Sequence, residues 1–194
     1  MSLTIKDTSH DFLPAPEGLH IARCYALIDL GIQLNKSYGS SHPKIVISWE
    51  LDKKMDDGQP FIHSQQYTAS LSEKSNLRGL LEAWRGKSFT AEELKGFKLA
   101  NFLNAYCYLT IKHKSNPQTN KQWAEVSSIC RLPEGVSYPP AHNPIIYFDL
   151  DNYSDDAFCK VPEGFRKRIN LSGINLPPTL SPTPTLNHHE KPIF

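Results

Sequence analysis

The sequence predicts an all-β fold, a five-stranded Greek-key barrel of the OB type that carries one main helix. Three strand-like segments precede a capped helix and two more follow it, which gives the order β-β-β-α-β-β. Ten of the 15 prolines then lie at or after Pro133, where regular patterning stops. We therefore expect an OB-fold domain over residues 1–133, an irregular extension over residues 134–172 that packs on the barrel or on a neighbouring subunit, and a disordered, proline-rich tail over residues 173–194.

Alternating apolar and polar residues predict three strands before the helix. These strands cover residues 20–30, 44–51 and 61–68. In the first strand, Arg23, Tyr25 and Asp29 alternate with inward-facing residues, so we expect one face of this strand to contact solvent. The second and third strands are separated by Asp56-Asp57-Gly58, which indicates a hairpin because aspartate and glycine tolerate a positive φ.

A helix is predicted from about residue 73 to residue 85. Ser70 and Glu73 have the spacing of a capping box, and Gly86 is placed to end the helix. A second capping box, at Thr90 and Glu93, predicts a short helical turn, and another turn is expected near residues 99–103. Apolar residues recur at helical spacing along the main helix: Leu77, Leu80, Leu81 and Trp84.

Two more strands follow the helix, over residues 106–113 and 123–129. Tyr106 and Tyr108 alternate with apolar residues and are expected to point outward. The polar loop over residues 114–121 corresponds to loop L45 of an OB barrel, which commonly contacts the ligand. Trp49 and Trp84 have apolar neighbours at the spacing of their elements, so we assign both to the core.

Charge, hydropathy and cysteine spacing exclude several classes of protein. The formal net charge is +1, so the chain is not a polycation that binds duplex DNA by charge alone. No apolar run approaches the roughly 20 residues that span a bilayer, and the N-terminal residues lack the pattern of a signal peptide, so we expect a cytoplasmic protein. Single, scattered cysteines favour buried thiols over a metal site or a disulfide: Cys24, Cys107, Cys130 and Cys159.

The sequence carries no motif for catalysis. It has no glycine-rich phosphate loop, no H-E-x-x-H and no G-x-S-x-G. The acidic run over residues 149–156 lacks the glycine and the glutamate of an EF-hand loop, so we expect a solvated surface there and not a metal site. A nuclease is disfavoured because no predicted strand carries a pair of carboxylates. We expect a non-enzymatic protein with no cofactor.

Outward-facing aromatic residues interleaved with basic residues favour binding of single-stranded nucleic acid. Bases stack on aromatic rings, and cationic side chains contact the phosphate backbone. The candidate residues lie on the first, second and fourth predicted strands and in or beside two loops: Arg23, Tyr25, Lys36, Tyr38, Lys44, Tyr106, Tyr108, Lys112, Lys114, Lys121 and Trp123.

Several short segments carry a resemblance to a protein family. They are PAPEG at 14–18, AR at 22–23, IDLG at 28–31, WEL at 49–51, YTxSL at 67–71, EKSNLR at 73–78, LEAWRG at 81–86 and LPEG at 132–135. In these segments the chain resembles phage-encoded and prophage-encoded proteins, which are associated with OB-fold single-stranded-DNA-binding proteins of phage replication and recombination. The resemblance extends over residues 1–170.

The resemblance implies a sequence-tolerant single-stranded-DNA-binding protein in the cytoplasm of a bacterial host, with a dimer as the favoured homo-oligomer. Such proteins have a barrel, a linker and a C-terminal tip that docks on replication or recombination proteins. Pro192, Ile193 and Phe194 match this tip. The acidic residues that usually precede it are replaced by His188-His189-Glu190-Lys191, a departure that weakens the expectation of partner docking.

A protein-interaction module is the alternative function. A phage protein of this fold could block a host defence or repair enzyme, and the near-zero net charge with the acidic run at 149–156 is compatible with such a role. The same acidic run, folded back over a binding groove, would instead regulate nucleic-acid binding. The sequence leaves these two roles open.

Overall fold

The computed structural model describes residues 14–35, 39–120 and 122–172. Its six strands are β1 Gly18–Asn35, β2 Ser40–Lys54, β3 Pro60–Thr68, β4 Tyr106–Ser115, β5 Gln122–Arg131 and β6 Ile146–Phe148. The order in the sheet is β3-β2-β1-β4-β5, with antiparallel neighbours, and β6 pairs with β1 in parallel. The predicted all-β class is confirmed. Within the described residues β3 and β5 do not pair, so the sheet is open and does not close into the predicted barrel.

Helix α1, Asn76–Arg85, begins three residues later than predicted. The predicted capping box at Ser70 is wrong, because the Ser70 hydroxyl instead accepts a hydrogen bond from the backbone N–H of Ser72 (3.2 Å) in a local turn. Ser75 is the N-cap residue, and its side chain makes no capping hydrogen bond. The predicted end is confirmed: Gly86 adopts φ 69°, a left-handed conformation that glycine adopts without strain.

Shorter helices follow α1. Helix α2, Ala91–Lys95, has the predicted capping box, with the Thr90 hydroxyl and the Glu93 carboxylate each accepting a backbone hydrogen bond. A 3-10 turn at Leu99–Phe102 confirms the next predicted turn. In the C-terminal extension, a 3-10 turn at Leu150–Asn152 precedes α3, Asp155–Lys160, and α4, Glu163–Asn170. No helix in the described part of the chain is long and apolar enough to cross a membrane.

The inner face of the sheet packs against α1 and the segment that follows it. Trp49 and Trp84 lie in this core with ring centroids 6.0 Å apart, as predicted. The ring of Trp84 also packs at 4.5 Å from that of Phe102, from the 3-10 turn. Most of the remaining buried members of the inner core come from β1, β2, β4 and α1: Ala22, Cys24, Leu27, Ile47, Leu51, Leu77, Leu81, Cys107, Leu109 and Ile111. Tyr67 of β3 and Ile129 of β5 also belong to it, together with Ala15 and Phe89.

A second core lies on the outer face of β1 and β2, under the C-terminal extension. Strand β1 contributes to both cores because successive side chains of a strand point to opposite faces of the sheet. Irregularities in its pairing with β2, between Cys24 and Ala26 and between Asp29 and Gly31, shift this alternation along the strand. The extension contributes β6, α3 and α4 to this core and is therefore more regular than expected. The buried residues of this outer core are Tyr25, Ala26, Ile28, Leu30, Val46, Phe148, Phe158, Val161 and Ile169.

Two predictions about exposure are wrong. The face of β1 expected to contact solvent is covered, since Arg23 is 2% exposed and Tyr25 is 7% exposed. The four cysteines were expected to be buried, but Cys130 and Cys159 are exposed. Cys130 lies opposite Tyr108, so its side chain is on the outward face of the sheet.

Candidate nucleic-acid interface

Arg23 belongs to a buried polar network that fixes the extension to the sheet. Its Nε donates to Glu50 Oε1 at 2.6 Å, and its two terminal nitrogens donate to Asn104 Oδ1 (2.9 Å) and to the carbonyl oxygen of Asn143 (2.5 Å). The Glu50 carboxylate also accepts from the backbone N–H groups of His142 (3.0 Å) and Asn143 (2.7 Å). Arg23 is therefore occupied by the protein itself and does not face an external ligand.

The Glu50 carboxylate is charged in this network. Burial by itself raises the pKa of Glu50, but the hydrogen bonds from Arg23, His142 and Asn143 outweigh it and hold the pKa below its usual value. The two opposite charges lie in direct contact, and further hydrogen bonds from the surrounding protein reach both groups, which is the condition under which a buried ion pair is tolerated.

The C-terminal extension also covers two of the predicted tyrosines. Tyr25 lies in the outer core, where burial raises its pKa to about 12. The ring of Tyr106 stacks against Tyr138 with centroids 4.0 Å apart, and its hydroxyl donates to the carbonyl oxygen of Pro139 at 3.0 Å. These contacts occupy the aromatic surfaces that the sequence analysis assigned to nucleic acid.

Four of the predicted residues do share one outward surface, which we call the β4–β5 face. Tyr108, Lys112 and Lys114 alternate along β4 with the buried residues of the inner core. Lys114 lies directly opposite Trp123 on β5. Side chains of directly opposed residues in an antiparallel pair project on the same side of the sheet. Trp123 is 43% exposed and Lys112 is exposed, so an aromatic ring and a cation are available to a ligand.

Glu125 is the acidic residue of the β4–β5 face. It lies opposite Lys112, and its carboxylate is 2.5 Å from Lys114 Nζ. Lys112 has no ion-pair partner within the described ranges, so the two lysines and one glutamate leave this face with a net positive charge. The pair between Lys114 and Glu125 is exposed to solvent and therefore weak, which leaves Lys114 free to exchange Glu125 for a phosphate.

The other predicted residues are elsewhere. Lys44 lies on β2, where its Nζ donates to Thr68 Oγ1 at 2.7 Å. Outside the described residues lie the remaining members of the predicted site: Lys36, Tyr38, Lys121, Pro192, Ile193 and Phe194.

A cleft of about 1220 Å³ lies where β3 and β5 fail to pair, and the sequence analysis missed it. One hydrogen bond joins the two strands, from the backbone N–H of Val126 to Gln65 Oε1 (2.8 Å). Residues of α1 line the same cleft. The available sequence signal is the mostly polar run from Ser70 to Asn76, whose capping-box spacing predicts a helix start instead. Residues that line the cleft include Lys44, Tyr67, Ser70, Ser72, Lys74, Ser75, Asn76 and Glu125.

Residues of the acidic run lie at the N-terminal ends of two helical segments. Asp149 accepts hydrogen bonds from the backbone N–H of Asp151 (3.0 Å) and from Asn152 Nδ2 (2.9 Å). Asp155 and Asp156 occupy the first turn of α3, where negative charge is favourable. Across the described ranges, no group of three or more histidine, cysteine or acidic residues has an arrangement that could hold a metal ion.

The chain was compared with known proteins. No protein-family model matches it, and no curated protein sequence matches it. The functional assignment therefore depends on the geometry of the surfaces described above.

Proposed function

We propose that the protein is a non-catalytic single-stranded-DNA-binding protein of a phage or prophage replication or recombination system. The observation that carries the proposal is the β4–β5 face, where the exposed ring of Trp123 lies beside Lys112 and Lys114 on a sheet surface. An aromatic ring flanked by cations is the combination on which sequence-tolerant single-strand binding depends.

The strand order supports an OB-type topology for this function. An OB fold is a five-stranded, partly open Greek-key barrel, and here β1 pairs with both β2 and β4, with α1 inserted between β3 and β4. OB folds bind oligonucleotides on the face of strands two and three and on loops L12 and L45. In this protein the outward side chains Val46 and Ile62 pack under the extension, so we assign the contact to the β4–β5 face.

Binding by this face predicts a modest salt dependence. Each phosphate contact on a single strand contributes a slope of about 0.7 in a plot of log affinity against log salt concentration, so Lys112 and Lys114 together contribute about 1.4. Stacking on Trp123 contributes about 1–3 kcal/mol, which is about a 5-fold to 150-fold change in affinity.

The test is a fluorescence titration of the protein with a labelled oligo-dT, longer than the roughly 4–16 nucleotides that an OB fold covers, at two salt concentrations. Duplex of the same length is titrated in parallel. We expect the protein to bind the single strand more tightly than the duplex, and salt to weaken this binding. Trp123→Ala is expected to lose affinity by about 5-fold to 150-fold. Tyr147→Ala is the matched control, because Tyr147 is 46% exposed but lies on β6.

Two results would contradict the proposal. One is the absence of single-strand binding at low salt. The other is equal loss of affinity in Trp123→Ala and Tyr147→Ala, since stacking on the β4–β5 face predicts a loss only in the first. Light scattering on the same samples tests the dimer that the family resemblance implies.

A protein-interaction module is the second candidate function, and the open sheet favours it. Strands β3 and β5 both present an edge to the cleft, and an unpaired edge can accept an extended peptide as an added strand. The acidic residues near α3, three of them exposed, would favour a basic partner: Asp151, Asp155 and Asp156. Failure of the oligo-dT titration, together with crosslinking of a host protein to a β5 residue, would support this function instead.

A further inference from the structure

We propose that the ring of Tyr138 is a second stacking platform for single-stranded DNA, at the Tyr106 end of β4 and away from Trp123. This second platform rests on the proposed function, and it gives a bound strand a path along β4 from one exposed ring to the other.

Tyr138 presents an open ring on top of Tyr106. The centroids of the two rings are 4.0 Å apart, so one side of the Tyr138 ring is covered by Tyr106. Tyr138 is nevertheless 54% exposed, and the exposed side is therefore the one that faces away from Tyr106. The contact that hides Tyr106 from a ligand places a second aromatic ring above it, and that ring is available to a base.

The backbone around Tyr138 is held in place before any ligand binds. A proline restricts the residue before it to an extended conformation, and Tyr138 precedes Pro139. The carbonyl oxygen of Pro139 accepts a hydrogen bond from the Tyr106 hydroxyl (3.0 Å), and the backbone N–H of His142 donates to Glu50 (3.0 Å). Little conformational entropy remains to be lost when a base stacks on this ring, which favours binding.

Strand β4 connects the new platform to the β4–β5 face. Tyr106 and Lys114 are both outward positions of β4, and Lys114 lies opposite Trp123. At about 3.4 Å per residue, the strand between these two positions is about 27 Å long. A DNA strand with one phosphate per roughly 3.4 Å needs about eight nucleotides to cover that distance. This length falls within the range of about 4–16 nucleotides that an OB fold binds.

The charges along this path are compatible with a phosphate backbone. Among the outward positions of β4 and β5 that the structure describes, Glu125 is the acidic residue, and Lys114 lies 2.5 Å from its carboxylate. Lys112 is exposed between the two platforms. At the Tyr138 end, Arg131 and Glu134 form an exposed pair at 3.8 Å, which adds no net charge. The path is therefore positive near Trp123 and neutral near Tyr138.

The length of the oligonucleotide separates the two platforms. Labelled oligo-dT of about 16 nucleotides reaches both rings, whereas oligo-dT of about 4 nucleotides is too short to do so. We expect Tyr138→Ala to bind the long oligonucleotide about 5-fold to 150-fold more weakly and the short one, held at Trp123 and the lysines, as tightly as the unsubstituted chain does. Tyr138→Phe keeps the ring and is the matched control, with both affinities retained. Trp123→Ala is expected to lose affinity for both lengths.

Photo-crosslinking locates the strand directly. Oligo-dT of about eight nucleotides carries one iodouracil, either at its first or at its last position. We expect one of these two oligonucleotides to crosslink to Tyr138 and the other to Trp123. Crosslinks to Trp123 from both oligonucleotides, with none to Tyr138, would overturn the second platform.

The binding data distinguish a wrong platform from a wrong function. Normal binding of the long oligonucleotide to Tyr138→Ala, with weaker binding to Trp123→Ala, would overturn the platform and leave the proposed function standing. Equal losses for both lengths in Tyr138→Ala would also overturn it, because they would indicate damage to the sheet. Normal DNA binding with a lost dimer in light scattering would assign the Tyr138 ring to a contact between two copies. Absence of oligo-dT binding in the unsubstituted chain would contradict both the platform and the function.

Discussion

Replacing Glu50 by glutamine should destabilise the protein by about 3–5 kcal/mol, the range for breaking a buried ion pair by removing one partner. The Glu50 carboxylate accepts four hydrogen bonds, two of them from Asn143, at its backbone N–H and its Nδ2, both 2.7 Å. The glutamine amide nitrogen would face both Asn143 donors, and each unsatisfied donor is worth about 1–3 kcal/mol. Arg23 would also lose its counter-charge.

Urea denaturation followed by circular dichroism measures this loss. A domain of this size has a total stability of about 5–15 kcal/mol, so the expected shift of the midpoint is large. The double variant Arg23→Met, Glu50→Leu removes both charges. Its loss of unfolding free energy is expected to be smaller than the sum of the losses in the single variants Arg23→Met and Glu50→Leu. A loss below about 1 kcal/mol for Glu50→Gln would refute the reasoning, because it would mean that the network does not hold the extension on the sheet.

Three other predictions concern stability and exposure. Burial lowers the pKa of His63 below its usual 6.5. The unfolded state therefore binds more protons than the folded state, and stability falls as the pH decreases below 6.5. The variant His63→Phe is expected to flatten this fall, measured by urea titrations between about pH 7 and pH 5. Phe158→Ala removes a ring that packs 5.5 Å from Phe148 and is expected to lower stability by about 3–5 kcal/mol in the same assay. A thiol reagent is expected to label two cysteines in the native protein and the other two only after unfolding: Cys130 and Cys159, then Cys24 and Cys107.

Local signals in the sequence predicted local structure well. The capping box at Thr90 and Glu93 and the left-handed Gly86 were identified because each depends on residues within one turn. The inward positions of Trp49 and Trp84 followed from periodicity for the same reason. The failed capping box at Ser70 has the same spacing as the successful one, but the Ser70 hydroxyl accepts from the backbone N–H of Ser72 in a local turn, which spacing does not reveal.

The outward face of β1 could not be predicted from alternation. The alternating pattern places Arg23 on the outward face, but the pattern is the same whether that face contacts water or a buried partner. The partner of Arg23 is Glu50, which lies 27 residues away in the sequence. One signal was present: Tyr25 to Ile28 is an unbroken apolar run, and such runs are typical of strands buried on both faces. The exposed part of the β4–β5 face, by contrast, was predictable from alternation because Trp123 and Lys112 are not covered by any distant segment that the structure describes.

The sharing of β1 between two cores determines where the chain can be shortened. Truncation after Pro133 would remove Phe148, Phe158, Val161 and Ile169 and uncover the apolar side chains of β1 and β2 beneath them. It would also leave Arg23 and Glu50 without the backbone groups of residues 142 and 143. A fragment of this kind would expose an apolar surface, with two uncovered charged groups beside it, and other molecules in solution would bind to it nonspecifically. Binding measured on it would report that new surface, and only a chain that retains α4 can report the native one.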